Sequence, residues 1–242
     1  MNYDNQYKPS GFGYLPVVTK NIIIINVIMF LATEALKYSK HIDLTDYFGL
    51  HYYLADNFKP HQFITYIFMH GNFQHILFNM FGVYIFGQVL EQVWGPKRYL
   101  IFYILTGLGA ALTQYVIMHF EIQDVLSAVN DQIQMSDNVE EKSYLINQKF
   151  EYLNRHVIIG ASGSLFGLLG GFGMLFPNRM LYLYFFVPVK AKWLVIAYGA
   201  IEIFSGFQNN PGDNVAHFAH IGGLVVGVIL VLIWRKNREQ FY

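Results

Sequence analysis

The chain has 242 residues, 54% hydrophobic, 18% aromatic and only 13% charged, with 16 basic residues balanced by 16 acidic ones. Soluble domains carry roughly 25% charged residues, so the deficit points to a bilayer, and zero net charge offers no basic surface for nucleic acid. The absence of cysteine removes disulfides, thiolate metal sites and cysteine nucleophiles.

A spanning helix needs about 20 mostly apolar residues; three segments reach that length easily, a fourth carries one acid near its end, and two are shorter, which together read as six spans. Residues 1–19 form a short polar, Gly/Tyr-rich N-terminus with no cleavage-site pattern, so no removable signal peptide is predicted. The predicted spans follow as Ile22–Leu36 with Glu34, Ile76–Trp94 with Glu91, Tyr99–Met118, Val157–Phe176, Trp193–Phe207 with Glu202, and Val215–Trp234. The first and fifth are the weakest. Together they predict an all-α membrane protein, a six-transmembrane-helix bundle. One membrane domain covers residues 20–236, and a C-terminal tail covers 237–242.

Between spans three and four lies an acid-rich insert, residues 121–156, which lacks Gly and Pro. Its apolar positions suggest one or two amphipathic helices outside the membrane. Met180 to Lys190 is apolar and aromatic but too short to span. Pro177 ends the helix before it and Pro188 breaks before the next, so it reads as an interfacial connector.

With six spans, both termini share one side. That side holds Lys8, Lys20, Lys97, Arg98, Arg179, Lys190, Lys192, Arg235, Lys236 and Arg238. The other holds Lys37, Lys40, Lys59, Lys142, Lys149 and Arg155. Basic residues near span ends favour the cytoplasm, so both termini are expected in the cytoplasm of a cell (inner) membrane.

Polar groups inside spans are costly and are functional candidates by default. Span two opens with His70, His75 and Asn79, the last two sharing a helix face at i, i+4. Span four opens with Gly160-Ala161-Ser162-Gly163, and span six with His217 and His220. The even-numbered spans run the same way. Ser162 and His220 each lie about five residues in, roughly 8 Å below one surface, and His75 and Asn79 fall near that level. A serine hydroxyl becomes nucleophilic when a neighbouring base takes its proton, and His220 is placed to do so. Attack on an amide creates an oxyanion that needs preorganised donors. The Ser162 N–H, the Asn79 amide and a His75 ring N–H fit that need, with Gly163 in the same group of candidates. Gly160 and Gly163 let backbone approach a substrate. No acid is seen near His220 in the spans, so the reading is a Ser–His dyad without a third carboxylate.

These motifs carry a family resemblance. His70, His75 and Asn79 (H-x4-H-x3-N), Gly160-Ala-Ser162-Gly163 (G-x-S-G) and Ala219-His220-Ile-Gly-Gly223 (A-H-x-x-G) resemble those of the rhomboid proteases, of the bacterial six-helix core kind. They occur in order, from span two to span six. The resemblance implies a six-helix bundle with a cavity opening to the external side. Ser162 would form an acyl-enzyme, His220 would be the general base, and His75 and Asn79 would line the oxyanion hole. His70 would support them, and Phe166 would pack on His220. It implies transmembrane protein substrates with helix-destabilising residues and a small residue before the scissile bond. It implies no cofactor. Two departures stand out: the insert is long, and the loop around His51–His61 lacks a Trp-Arg pair seen in some members.

Set against this, a serine in a small-residue run by itself more often serves close helix packing. Gly163 and Gly167, and Gly223 and Gly227, read as faces that press spans four and six together. His217 reads as a rim or structural histidine, and Glu91 and Glu202 as makers of structural hydrogen bonds. Nine histidines raise a metal-dependent alternative, but there is no H-E-x-x-H and no acid one turn from the membrane histidines, so no metal is expected. An aspartyl mechanism needs two intramembrane aspartates, which the spans lack. The remaining alternative is a catalytically silent rhomboid-like protein that binds membrane clients. Inactive relatives lose the serine or the histidine; this chain keeps both.

Overall fold

The structure, a computed structural model, describes residues 15–183, 186–208 and 215–239, without the side chains of 183 and 236–239. Most of the predicted polar N-terminus with Lys8, the last residues of the predicted tail, and the side chains of Lys236 and Arg238 lie outside the described residues.

Among the described residues, seven long helices carry the chain: α1 (Val17–Lys40), α2 (Phe73–Trp94), α3 (Pro96–Met135), α4 (Val139–Arg155), α5 (Ser162–Leu175), α6 (Ala191–Gln208) and α7 (His217–Glu239). Each of the six predicted spanning segments contains a helix. Of these, α1, α2, α3 and α7 as far as Arg235 are long and apolar enough to cross a membrane.

Local chemistry sets the helix ends. Asn72 caps α2 by accepting a 2.8 Å hydrogen bond from the His75 N–H, satisfying a donor that the first helical turn leaves orphaned. A turn of π-helix over Val83–Gly87 interrupts α2. Gly95, at φ +79°, ends it, and Pro96 starts α3 where its missing N–H costs nothing. At the start of α1, Glu91 of α2 accepts from the N–H groups of Val18 and Thr19 and from the Thr19 hydroxyl, at 2.7–2.9 Å.

The 40 residues of α3 rise about 60 Å, roughly twice the hydrocarbon thickness. Its second half and α4 form a helical hairpin that takes up the acid-rich insert. Asn138 caps α4 at the Glu140 and Glu141 N–H groups, and Lys149 Nζ reaches back to Asn130 Oδ1 at 2.8 Å.

α3, α5 and α7 pack on one another and form the centre of the bundle. Small residues make the α5–α7 contact close. A Cβ at Gly223 would land on the Gly163 carbonyl oxygen, and one at Gly227 would lie 2.6 Å from the Gly167 carbonyl oxygen. At the far end, Trp94 of α2 packs on Trp234 of α7, which also lies 4.1 Å beneath the Arg98 guanidinium.

One expectation is corrected. The fourth predicted span does not begin as a helix at Val157. Val157–Ile158 (β2) pairs antiparallel with Leu50–His51 (β1), and α5 starts at Ser162 with 14 residues. The β-branched run Val-Ile-Ile suits an extended chain. Ser162 is therefore the first helical residue rather than the fifth. A 14-residue helix rises only about 21 Å, short of a roughly 30 Å core. The connector at Met180–Lys190 is a hairpin of two strands, β3 (Met180–Leu183) and β4 (Val187–Lys190).

Candidate active site

Ser162 opens α5 and is half-buried, while His220 lies in the first turns of α7 and is buried. The close α5–α7 packing brings the two together, with Ser162 Oγ 2.8 Å from His220 Nε2. Phe166, one turn beyond Ser162, stacks on the His220 imidazole, with ring centroids 4.3 Å apart and planes 7° apart. This face-on contact fixes the plane in which the imidazole presents Nε2 to the hydroxyl. The neighbouring Ser164 is committed elsewhere: its hydroxyl donates to the Tyr103 carbonyl of α3 at 2.9 Å.

The second group arrives on α2. Asn79 Nδ2 donates to His70 Nε2 at 3.0 Å, and the His70 and His75 rings meet edge-on with centroids 4.9 Å apart. His70 lies in the loop before the helix. Its burial, with a contribution from His75, pushes its imidazolium down to about 3, so the ring is neutral and Nε2 can accept the amide proton. Gly160 closes the space between α2 and α5. Its φ of +120° lies where L side chains rarely go, and a Cβ there would come within 2.7 Å of His75 Nε2 and 3.7 Å of Asn79 Nδ2. The Gly160 N–H is held by the Tyr66 carbonyl at 3.0 Å. The predicted residues are thus all placed around one end of the bundle: Ser162, His220 and Phe166 in direct contact, His70 with Asn79, His75 against Gly160, and Gly163 against Gly223.

One expectation fails here. A carboxylate does lie beside His220. Glu202 of α6, buried, places Oε2 2.9 Å from His220 Nδ1 and 2.6 Å from His217 Nδ1. The contact to His217 is a hydrogen bond; that to His220 has ion-pair distance but is not aligned as a hydrogen bond. Glu202, His217 and His220 are also the described residues whose types and spacing could hold a metal ion, with ligand atoms all within 4.8 Å of one another. The 2.6 Å distance to His217 is that of a hydrogen bond. The sequence held a signal for this group, because Glu202 is the one acid in an otherwise apolar segment and two histidines open the next helix.

The fold and site define a class: a multi-pass, predominantly helical membrane protein with a serine and a histidine in contact between two of its apolar helices. The chain belongs to the rhomboid family, the family model for the Rhomboid domain matching residues 57–237. It is 30% identical over 189 residues to the mitochondrial RHOMBOID-like protein 12 of Arabidopsis thaliana, covering 77% of this chain and 51% of that protein. To the chloroplastic Rhomboid-like protein 11 of the same plant it is 26% identical over 205 residues, covering 76% and 56%. To the Rhomboid protease AarA of Providencia stuartii it is 25% identical over 179 residues, covering 69% and 53%. The chain spans about half the length of each of these relatives.

Proposed function

We propose that the protein is an intramembrane serine endopeptidase that hydrolyses peptide bonds in or near the transmembrane segments of other membrane proteins. The observation that carries this reading is the 2.8 Å contact between Ser162 Oγ and His220 Nε2, within reach for proton transfer from nucleophile to base. Ser162 Oγ attacks the scissile carbonyl carbon while His220 Nε2 takes its proton. The resulting oxyanion is met by the Ser162 N–H, the Asn79 side-chain amide and His75. His220 then gives its proton to the leaving amine as the C–N bond breaks, leaving an acyl-enzyme. Water, deprotonated by the same imidazole, releases the acid. In this reading His70 orients Asn79 through their hydrogen bond, and Phe166 holds the His220 ring.

The substrates are membrane proteins met within the bilayer. Both termini face the cytoplasm, the site opens to the external side, and the insert at 121–156 stands outside the membrane domain of residues 20–236. The test is covalent labelling of the detergent-solubilised protein by a fluorophosphonate or isocoumarin serine-hydrolase probe. Wild type labels and Ser162→Ala does not. Equal labelling of the two would end the catalytic reading and favour a protein that only binds membrane clients. A chelator leaves labelling and turnover intact; their loss would assign Glu202, His217 and His220 to a metal.

A further inference from the structure

The proposed chemistry leaves the carboxylate beside the dyad without a task. Glu202 is buried in an apolar helix, where an unpaired carboxylate is costly. One of its oxygens meets two imidazole nitrogens, both of them Nδ1. The geometry has a chemical consequence for His220. Nε2 faces the Ser162 hydroxyl and accepts its proton only if Nε2 is bare, so the neutral ring must carry its proton on Nδ1. That is the nitrogen facing Glu202. When Nε2 becomes protonated, the imidazolium has a carboxylate oxygen 2.9 Å from its other nitrogen.

We propose that Glu202 is a positioning residue for the dyad, holding His220 as the Nδ1–H tautomer and balancing the imidazolium formed during proton transfer. His217, hydrogen-bonded to the same oxygen at 2.6 Å, fixes where that oxygen sits. The contact to His220 straightens as the ring gains charge, as catalytic contacts in an unliganded site commonly do. Among the described residues, the titratable groups facing His220 are Glu202 from α6, His217 from its own helix and His75 from α2. α5 presents Ser162 and Phe166, and α3 presents Gly109 and Thr113 to α7. Glu202 is the carboxylate among them.

This proposal rests on Ser162 and His220 being the catalytic pair, and its test separates the two claims. Glu202→Gln keeps the volume and removes the charge. With a cleavable transmembrane substrate, its kcat falls at least about tenfold, with roughly 10⁴-fold as the ceiling known for losing a tautomer-fixing carboxylate. KM and the thermal midpoint hold. The acid limb of the kcat/KM profile moves to lower pH, because the amide no longer stabilises the imidazolium. His217→Ala gives a smaller loss of kcat. An unchanged kcat and acid limb in Glu202→Gln would overturn the proposal, as would a loss of kcat matched by a lower thermal midpoint with the limb in place. If wild type proves inactive, nitrogen-15 spectra of the histidine rings decide the Glu202 claim alone. A pyrrole-type Nδ1 and pyridine-type Nε2 at His220, scrambled in Glu202→Gln, support it; the same tautomer in both proteins sinks it.

Discussion

Glu91 and Glu202 are both buried acids in apolar helices, at opposite ends of the bundle. Glu91 sits near the end of α2, beside the start of α1 and three residues before Trp94, which packs on the end of α7. Glu202 faces the opening residues of α7. Glu91 accepts from two backbone N–H groups and a hydroxyl, none of which changes protonation near neutral pH. Its partners are the orphaned donors of a helix N-terminus, so it anchors α1 and favours the dipole there. Glu202 is hydrogen-bonded to the His217 imidazole and lies at ion-pair distance from that of His220, and an imidazole is a side chain that can change protonation near neutral pH. The same side chain thus serves a fixed contact at one end of the molecule and a proton-linked one at the other. The contrast divides the buried polar groups into those whose loss should cost stability and those whose loss should cost turnover.

The strongest way to break this division is His220→Ala. If the site end is chemical, turnover falls by about 10⁴-fold or more and probe labelling disappears, with the thermal midpoint little changed. Retained turnover would return His220 to a structural role. A smaller effect on the same side comes from Asn79→Ala, which removes one oxyanion donor and lowers kcat by about 10²-fold. Unchanged kcat, measured on the same substrate, would remove Asn79 from the site and leave it as the hydrogen-bond partner of His70 alone.

The halves of this site differed in how readable they were. His70, His75 and Asn79 lie within ten residues on one helix entry, and their spacing alone puts His75 and Asn79 on one face. Ser162 and His220 are far apart in sequence, but parallel helices and flanking small residues made their meeting predictable. Glu202 reads from the sequence as a maker of structural hydrogen bonds; its approach to His220 depends on how α6 packs against α7, which local spacing does not encode. The start of α5 was misplaced for a different reason. Val157-Ile158-Ile159 is an apolar run whose periodicity alone does not separate a strand from a buried helix. What decides it is a tertiary pairing with Leu50–His51, followed by Gly160 at a φ of +120°.

At the anchoring end, Glu91→Gln reverses the signature expected of Glu202→Gln. The amide keeps one acceptor oxygen but places an NH2 against donors, leaving buried N–H groups of α1 unsatisfied. That costs about 1–3 kcal/mol, seen as a lower thermal midpoint in detergent, while kcat per folded molecule stays at the wild-type value. A fall in kcat without loss of stability would show that the two glutamates are not divided as argued.

The smallest effect is expected at Asn72, which belongs to both categories. Its Oδ1 accepts from the N–H of His75, so it caps the helix whose first turn carries a candidate oxyanion donor. Asn72→Ala leaves that N–H without its partner, at a cost of about 1 kcal/mol for an N-cap. Asn72 is exposed, so water can replace part of the bond. The Asn79–His70 contact and the Gly160 wall remain to hold the rest of the group. The thermal midpoint should fall slightly and kcat by only a few-fold. Asn72→Asp, which keeps the acceptor, should restore both. If Asn72→Ala instead matches Asn79→Ala in kcat, the first turn of α2 is set by its cap rather than by packing against Gly160, and the line between anchoring and chemical groups runs through that helix.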